Sequence, residues 1–276
     1  MIRAAVLGAD VSKSRSPAIH RAAFRALGVR GTYEAMSVDP AGFDALVATL
    51  RAKGFRYLNV TIPHKHAADA LADARGPEVR AAGAANTLLF EPAARGRRAR
   101  IRAENTDGAG LLAALADLGV LPRGARIVMV GAGGAAAGAL EALTRRGATV
   151  ALLARRPAVA RTVRAKLPAR QRARVRVRDL DELGEALAGA SALISAVPAA
   201  AWDAAARRPL RVLGRETAVL EMAYGGLTPL GAEVRIRTSR YADGLGMLVH
   251  QAARAVELAL GEAPPLPPLF RAARRG

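Results

Sequence analysis

The stretch Ile127-Val128-Met129-Val130-Gly131-Ala132-Gly133-Gly134-Ala135-Ala136 decides how this chain is read. Its first four residues are apolar and mostly β-branched, which predicts a buried strand; Gly-x-Gly-x-x-Ala then predicts a sharp turn into a helix. The first glycine permits the tight turn, and the second lets backbone approach a pyrophosphate. The small third residue permits close packing, while the helix N-terminus offers N–H groups and positive potential. Gly131, Ala132, Gly133, Gly134 and Ala135 are therefore candidates to cradle a dinucleotide. On these residues alone, a glycine-rich connection serving only tight packing stays open.

The end of the next strand decides which dinucleotide. An NAD-type site places Asp or Glu about 20 residues on, to accept hydrogen bonds from the ribose. This chain instead has Leu152-Leu153-Ala154-Arg155-Arg156, two guanidiniums and no carboxylate. Arginine binds a 2′-phosphate by charge-assisted hydrogen bonds, whereas a carboxylate would repel it. Arg155 and Arg156 thus predict NADP.

Upstream, Gly119-Val120-Leu121-Pro122-Arg123-Gly124 is the most linker-like segment of the 276 residues, a length comfortable for two domains. Before it, strands are predicted at 2–8, 32–38, 56–62, 86–90 and 99–103, with an Arg-rich turn between the last two. Helices are predicted at 17–28, opened by Ser16-Pro17 as a cap and first-turn proline, at 40–52 and at 107–118. After it, strands are predicted at 126–130, 149–153, 174–177, 192–195, 218–221 and 233–237, with a strong helix at 244–260. Such alternation implies mostly parallel sheets covered by helices.

Composition narrows the function classes. No apolar run is long enough for a membrane span, and the first eight residues read as a strand rather than an export signal. The chain has no cysteine, which excludes disulfides and thiolate metal sites and fits a reducing cytoplasm. Its four histidines include no His-x-x-x-His pair, so no metal is expected. The formal charge of +19 would suit nucleic acid. The arginines, clustered at 95–102, 155–178 and 271–275, lack interleaved aromatics and are read as solvated faces. No nucleic-acid partner is expected.

Of 42 Lys+Arg only Lys13, Lys53, Lys65 and Lys166 are lysine. One of these four follows a predicted strand, in Asn59-Val60-Thr61-Ile62-Pro63-His64-Lys65. An ammonium can give up a proton, whereas a guanidinium effectively cannot. Lys65 is therefore a candidate for proton transfer, against the plainer reading of a solvated lysine at a turn.

Four further segments join that heptapeptide and the glycine turn: Ser14-Arg15-Ser16-Pro17, Gly83-Ala84-Ala85-Asn86-Thr87, Asn105-Thr106-Asp107-Gly108, and Ala242-Asp243-Gly244-Leu245-Gly246-Met247-Leu248-Val249-His250-Gln251. In this order they closely resemble the shikimate dehydrogenase family, from about residue 6 to residue 260. The resemblance implies an α/β chain of two domains. A mixed α/β substrate domain would span 1–106 plus 242–276, and a doubly wound Rossmann-type NADP domain 107–241, with a cleft at their junction. It implies that Ser14 and Ser16, helped by Tyr224, hold the substrate carboxylate. Thr61, Lys65, Asn86, Asp107 and Gln251 would surround the ring hydroxyls and reacting oxygen, with Lys65 and Asp107 as the catalytic pair. Gly244 and Met247 match positions lining the nicotinamide, Met222 joins the cofactor-binding set, and Arg155 matches the arginine that holds the 2′-phosphate.

Read without the resemblance, Ser14 and Ser16 are helix caps, Asn105 and Asp107 cap the following helix, and Gln251 is a polar residue on an amphipathic helix. His64 and His66 match no functional position and are expected to face solvent. The chain departs from the family at Lys13 (usually His), at Ala154-Arg155-Arg156 (Asn-Arg-Thr), at Ser195-Ala196-Val197 (Asn-Ala-Thr), and at Tyr241 (Asn). The expected activity is reversible, NADP-dependent reduction of 3-dehydroshikimate to shikimate, feeding aromatic amino-acid synthesis, in a cytoplasmic monomer or homodimer. A dehydrogenase for quinate or a similar acid, and a non-catalytic ligand sensor, are the alternatives.

Overall fold

The computed structural model describes residues 1–93 and 98–275. The chain forms two compact units, one of Met1–Asp107 with Leu248–Gly276 and the other Gly108–Met247. Asp107 thus closes the first unit instead of opening the second, and residues 242–247 belong to the second.

Among the described residues, the first unit carries the strands β1 (Ile2–Gly8), β2 (Gly31–Ser37), β3 (Tyr57–Val60), β4 (Ala74–Arg75), β5 (Thr87–Glu91) and β6 (Arg100–Glu104). Their order is β2-β1-β3-β5-β6-β4. The β2, β1 and β3 strands are parallel, but β5 runs antiparallel to both β3 and β6, so this sheet is mixed. The turn expected to be Arg-rich between β5 and β6 falls on residues 94–97, outside the described residues. Beyond it, two arginines of that cluster are paired: Arg100 Nε lies 2.5 Å from Glu91 and Arg102 Nη1 2.7 Å from Glu104. The helix Phe43–Ala52 buries Phe43, Val47 and Leu50, one face at helical spacing, against Leu7, Leu58 and Leu88 of the sheet. Each such side chain contributes about 1.5–3 kcal/mol by leaving water.

Ser16 is a correction. The helix runs Ser16–Ala26 with Arg15 at the cap position and no side-chain cap. The Ser14 hydroxyl instead accepts the Ser16 N–H at 3.2 Å. His64 is a second correction. It is buried, stacked on Phe43 at 4.7 Å, with Nε2 2.9 Å from the Val38 carbonyl oxygen. His66 is exposed as expected.

The second unit, among the described residues, carries β7 (Arg126–Val130), β8 (Thr149–Leu153), β9 (Val175–Arg178), β10 (Ala192–Ser195), β11 (Ala218–Glu221) and β12 (Tyr241–Ala242). All are parallel, in the order β12-β11-β10-β7-β8-β9. The order reverses between β7 and β10, and ligands of doubly wound sheets bind in the crevice beyond the carboxyl ends there. The strand expected at 233–237 does not form. Thr228 accepts the Gly231 N–H at 2.9 Å and caps the helix Pro229–Val234, and the edge strand follows only at Tyr241.

Candidate functional site

In the first unit, β3, β5, β6 and the helix Leu245–Leu260 deliver side chains to one place. Lys65, the first residue of the helix Lys65–Ala70, sets Nζ 2.6 Å from Asp107 Oδ2. Both are mostly shielded, with side chains 22% and 16% exposed, which strengthens the pair relative to a solvated one. Asn86 Nδ2 donates to Asp107 Oδ1 at 2.9 Å. Its other contacts are Thr106 Oγ1 at 3.0 Å and Gln251 Oε1 at 3.3 Å. Gln251 Nε2 donates to the Leu248 carbonyl at 3.1 Å. Of the two expected caps, Asn105 accepts the Asp107 N–H at 3.1 Å, whereas Asp107 is the first helical residue and its carboxylate goes to Lys65 and Asn86. Lys65, Asp107, Asn86 and Gln251 therefore form one cluster from four distant segments. Thr106, to which the sequence assigns no role, joins them. Thr61 follows β3 and donates its N–H to the Leu7 carbonyl at 2.9 Å.

The arrangement suits proton transfer at a polar organic substrate. An ammonium is held by a carboxylate, whose second oxygen is held by an amide, with further donors and acceptors around it. Among the described residues, no three His, Asp or Glu could hold a metal ion. No helix among them is long and apolar enough to cross a membrane.

In the second unit, a cavity of about 440 Å³ is lined by Gly131, Ala132, Gly133, Arg155, Arg156 and Trp202, among others. Gly131 has φ +115°, and a Cβ there would lie 2.7 Å from the Ala196 carbonyl oxygen, so glycine is required. Gly133 caps the helix Gly134–Arg145 and has open space where a Cβ would stand. Exposed residues at a helix start, beside the Arg155 and Arg156 guanidiniums, which have no hydrogen-bond or ion-pair partner among the described residues, fit a dinucleotide phosphate group. Gly134 and Ala135 begin that helix and are exposed.

Residues 6–88 match the family described as "Shikimate dehydrogenase substrate binding domain". The chain is 38% identical to the shikimate dehydrogenase (NADP(+)) of Methylobacterium radiotolerans over 279 aligned residues, covering 98% of this chain and 95% of the relative. The chain belongs to the shikimate dehydrogenase family. A family structure from Thermus thermophilus, in complex with NADP(H) and shikimate, shares 30% identity and superposes with a TM-score of 0.82, covering 100% of this chain and 99% of that one. Mycobacterium tuberculosis shikimate dehydrogenase gives 31% and 0.85, with both chains covered in full.

Two departures from the shikimate dehydrogenase pattern have local partners. Ser195 Oγ accepts from Trp202 Nε1 at 2.8 Å, and both are buried. Tyr241 donates to Glu221 Oε2 at 3.0 Å, an oxygen that Thr228 also reaches. Burial, then the Glu221 charge, pushes the Tyr241 phenol up to about 12. Tyr224 lies in the second unit and is 38% exposed. Met222 and Met247 pack against that unit's core. Gly244 approaches the Met222 carbonyl so closely that no Cβ would fit, which gives this glycine a structural reason of its own.

Proposed function

We propose that this chain reversibly reduces 3-dehydroshikimate to shikimate, with Lys65 and Asp107 as its catalytic pair. The single observation that carries the reading is the 2.6 Å Lys65–Asp107 contact, braced by the Asn86 amide. NADPH, when bound, supplies the hydride. Once the ketone carbon has accepted it, the oxygen carries negative charge and must be protonated. The Lys65 ammonium gives that proton and Asp107 stabilises the charged lysine; in the oxidative direction Lys65 takes the proton from the hydroxyl. Asn86, Thr61 and Gln251 hold the ring hydroxyls, while Ser14 and Ser16, with Tyr224, hold the carboxylate. Arg155, with Arg156 beside it, holds the cofactor's 2′-phosphate, and the turn at Gly131–Gly134 its pyrophosphate. Met222, Gly244 and Met247 complete the cofactor contacts. The absence of cysteine supports a cytoplasmic setting.

The test follows absorbance of the reduced nicotinamide with shikimate and NADP or NAD. Turnover with NADP that falls by about 10²–10⁴ in Lys65→Ala is expected, the range for loss of a general acid–base group. No turnover by the wild-type chain, or a mutant with near-normal turnover, would sink the reading.

A further inference from the structure

Asn59 on β3 and Thr87 on β5 are directly opposed in an antiparallel pair, so their side chains share a face of the sheet. Asn59 Nδ2 donates to Thr87 Oγ1 at 3.0 Å, and Thr87 Oγ1 donates to Asn86 Oδ1 at 3.0 Å. Behind them the Tyr33 hydroxyl donates to Asn59 Oδ1 at 2.7 Å. Tyr33 is fully buried, and its ring stacks on His20 at 4.0 Å. The chain continues forward through Asn86 Nδ2 to Asp107 and so to Lys65.

Two backbone groups fix the direction of every link. The Asn86 carbonyl, which can only accept, lies 3.4 Å from Asn59 Nδ2, so the Asn59 amide turns its nitrogen that way. Thr87 therefore accepts from Asn59 and spends its one proton on Asn86. At the other end the Thr106 N–H, which can only donate, reaches Asn86 Oδ1 at 2.8 Å. The oxygen of Asn86 is thus held by the Thr87 hydroxyl and the Thr106 N–H, with the Thr106 hydroxyl a longer third donor at 3.3 Å, and its nitrogen is left to face the carboxylate.

We propose that Thr87, backed by Asn59 and Tyr33, is a positioning residue for the reaction. It locks the Asn86 amide in the orientation that engages Asp107 Oδ1 and leaves Oδ2 for Lys65. This rests on the reading of Lys65 and Asp107 above. Valine at 87 keeps the shape but cannot donate. Asn86 Oδ1 then keeps only the Thr106 donors, Asn59 Nδ2 keeps only its longer 3.4 Å contact to the Asn86 carbonyl, and the amide loosens.

The test compares Thr87→Val, Thr87→Ser and Tyr33→Phe for kcat and KM, thermal midpoint, and the Asn86 side-chain amide resonance in ¹H–¹⁵N spectra. Thr87→Val is expected to lower kcat by about 10- to 100-fold, the scale of a misplaced catalytic group, and to shift the Asn86 resonance. KM for NADP stays near the wild-type value, and Thr87→Ser restores both kcat and resonance. A Thr87→Val enzyme with kcat within about twofold of wild type, or Thr87→Ser as impaired as Thr87→Val, overturns the proposal. Should Thr87→Val not fold, Tyr33→Phe must shift the Asn86 resonance in its place, and an unchanged resonance overturns the idea. Should the wild-type chain not oxidise shikimate, the functional reading fails alone, and the Asn86 resonance still decides the positioning claim.

Discussion

The amide–carboxylate cluster of the first unit and the glycine-lined cavity of the second are built on opposite plans. Around Asp107 the side chains satisfy one another: ammonium, carboxylate, two amides and a threonine hydroxyl are already hydrogen-bonded. The cavity relies on backbone N–H groups and on two arginines whose guanidiniums have no partner among the described residues. A site made of interlocked side chains has few tolerated substitutions, because each loss strands a buried partner. A site made of backbone tolerates changed side chains nearby. That difference fits the pattern of departures, which spare the substrate segments except at Lys13 and fall at Ala154, Arg156, Ser195 and Tyr241 in the second unit.

The sharpest way to break this contrast is Asp107→Asn. It keeps the volume but removes the charge facing Lys65, and kcat is expected to fall by about 10²–10⁴. Steady-state rates with shikimate and NADP check it, and a fall confined to KM would contradict the interlocked plan. Arg155→Ala should act on the other side of the comparison. KM for NADP is expected to rise by about 10- to 100-fold, the scale of one charge-assisted contact, with kcat and the response to NAD little changed. An equal penalty with NAD would show that Arg155 does not hold the 2′-phosphate.

Stability should also report on the interlocked side through pH. Burial depresses the His20 pKa to about 3, so the folded ring stays neutral where an unfolded one binds a proton. Its contribution is complete above the unfolded value near 6.5 and is lost progressively as pH falls from there toward 3. From pH 6.5 to 5 the expected loss is about 2 kcal/mol. Urea unfolding at the two pH values checks this, and His20→Phe should flatten the slope. The smallest effect is reserved for Tyr241→Phe, which removes one hydrogen bond to Glu221. About 1 kcal/mol of stability should go, with kcat unchanged, as read by denaturant midpoint and turnover.

The parts legible in the sequence are those where one local signal decides. The strands β7, β8, β10 and β11 have the predicted bounds because they are short apolar runs closed by turn residues. Segment 233–237 misleads because Val234 and Ile236 alternate with charged residues, although Thr228-Pro229 just upstream is a cap and first-turn proline. His64 is expected outside because nothing local shows that Phe43, 21 positions earlier, stacks on it. The candidate site is legible as a set of residue types through the family pattern. Its wiring is not, since Asn86 and Gln251 meet across 165 positions and the direction of each hydrogen bond follows from backbone groups.

Trp202 has a practical consequence. It is the only tryptophan of the chain, the residue is 2% exposed, it lines the second unit's cavity, and its indole N–H is tied to Ser195. The intrinsic fluorescence of the protein therefore comes with a built-in address. Its emission is that of an indole in an apolar, rigid setting, and any nucleotide entering the cavity brings an absorbing ring close to a single emitter. Titrating the unlabelled protein with NADPH and watching the tryptophan band quench reads occupancy of that one cavity directly, with no second indole to subtract.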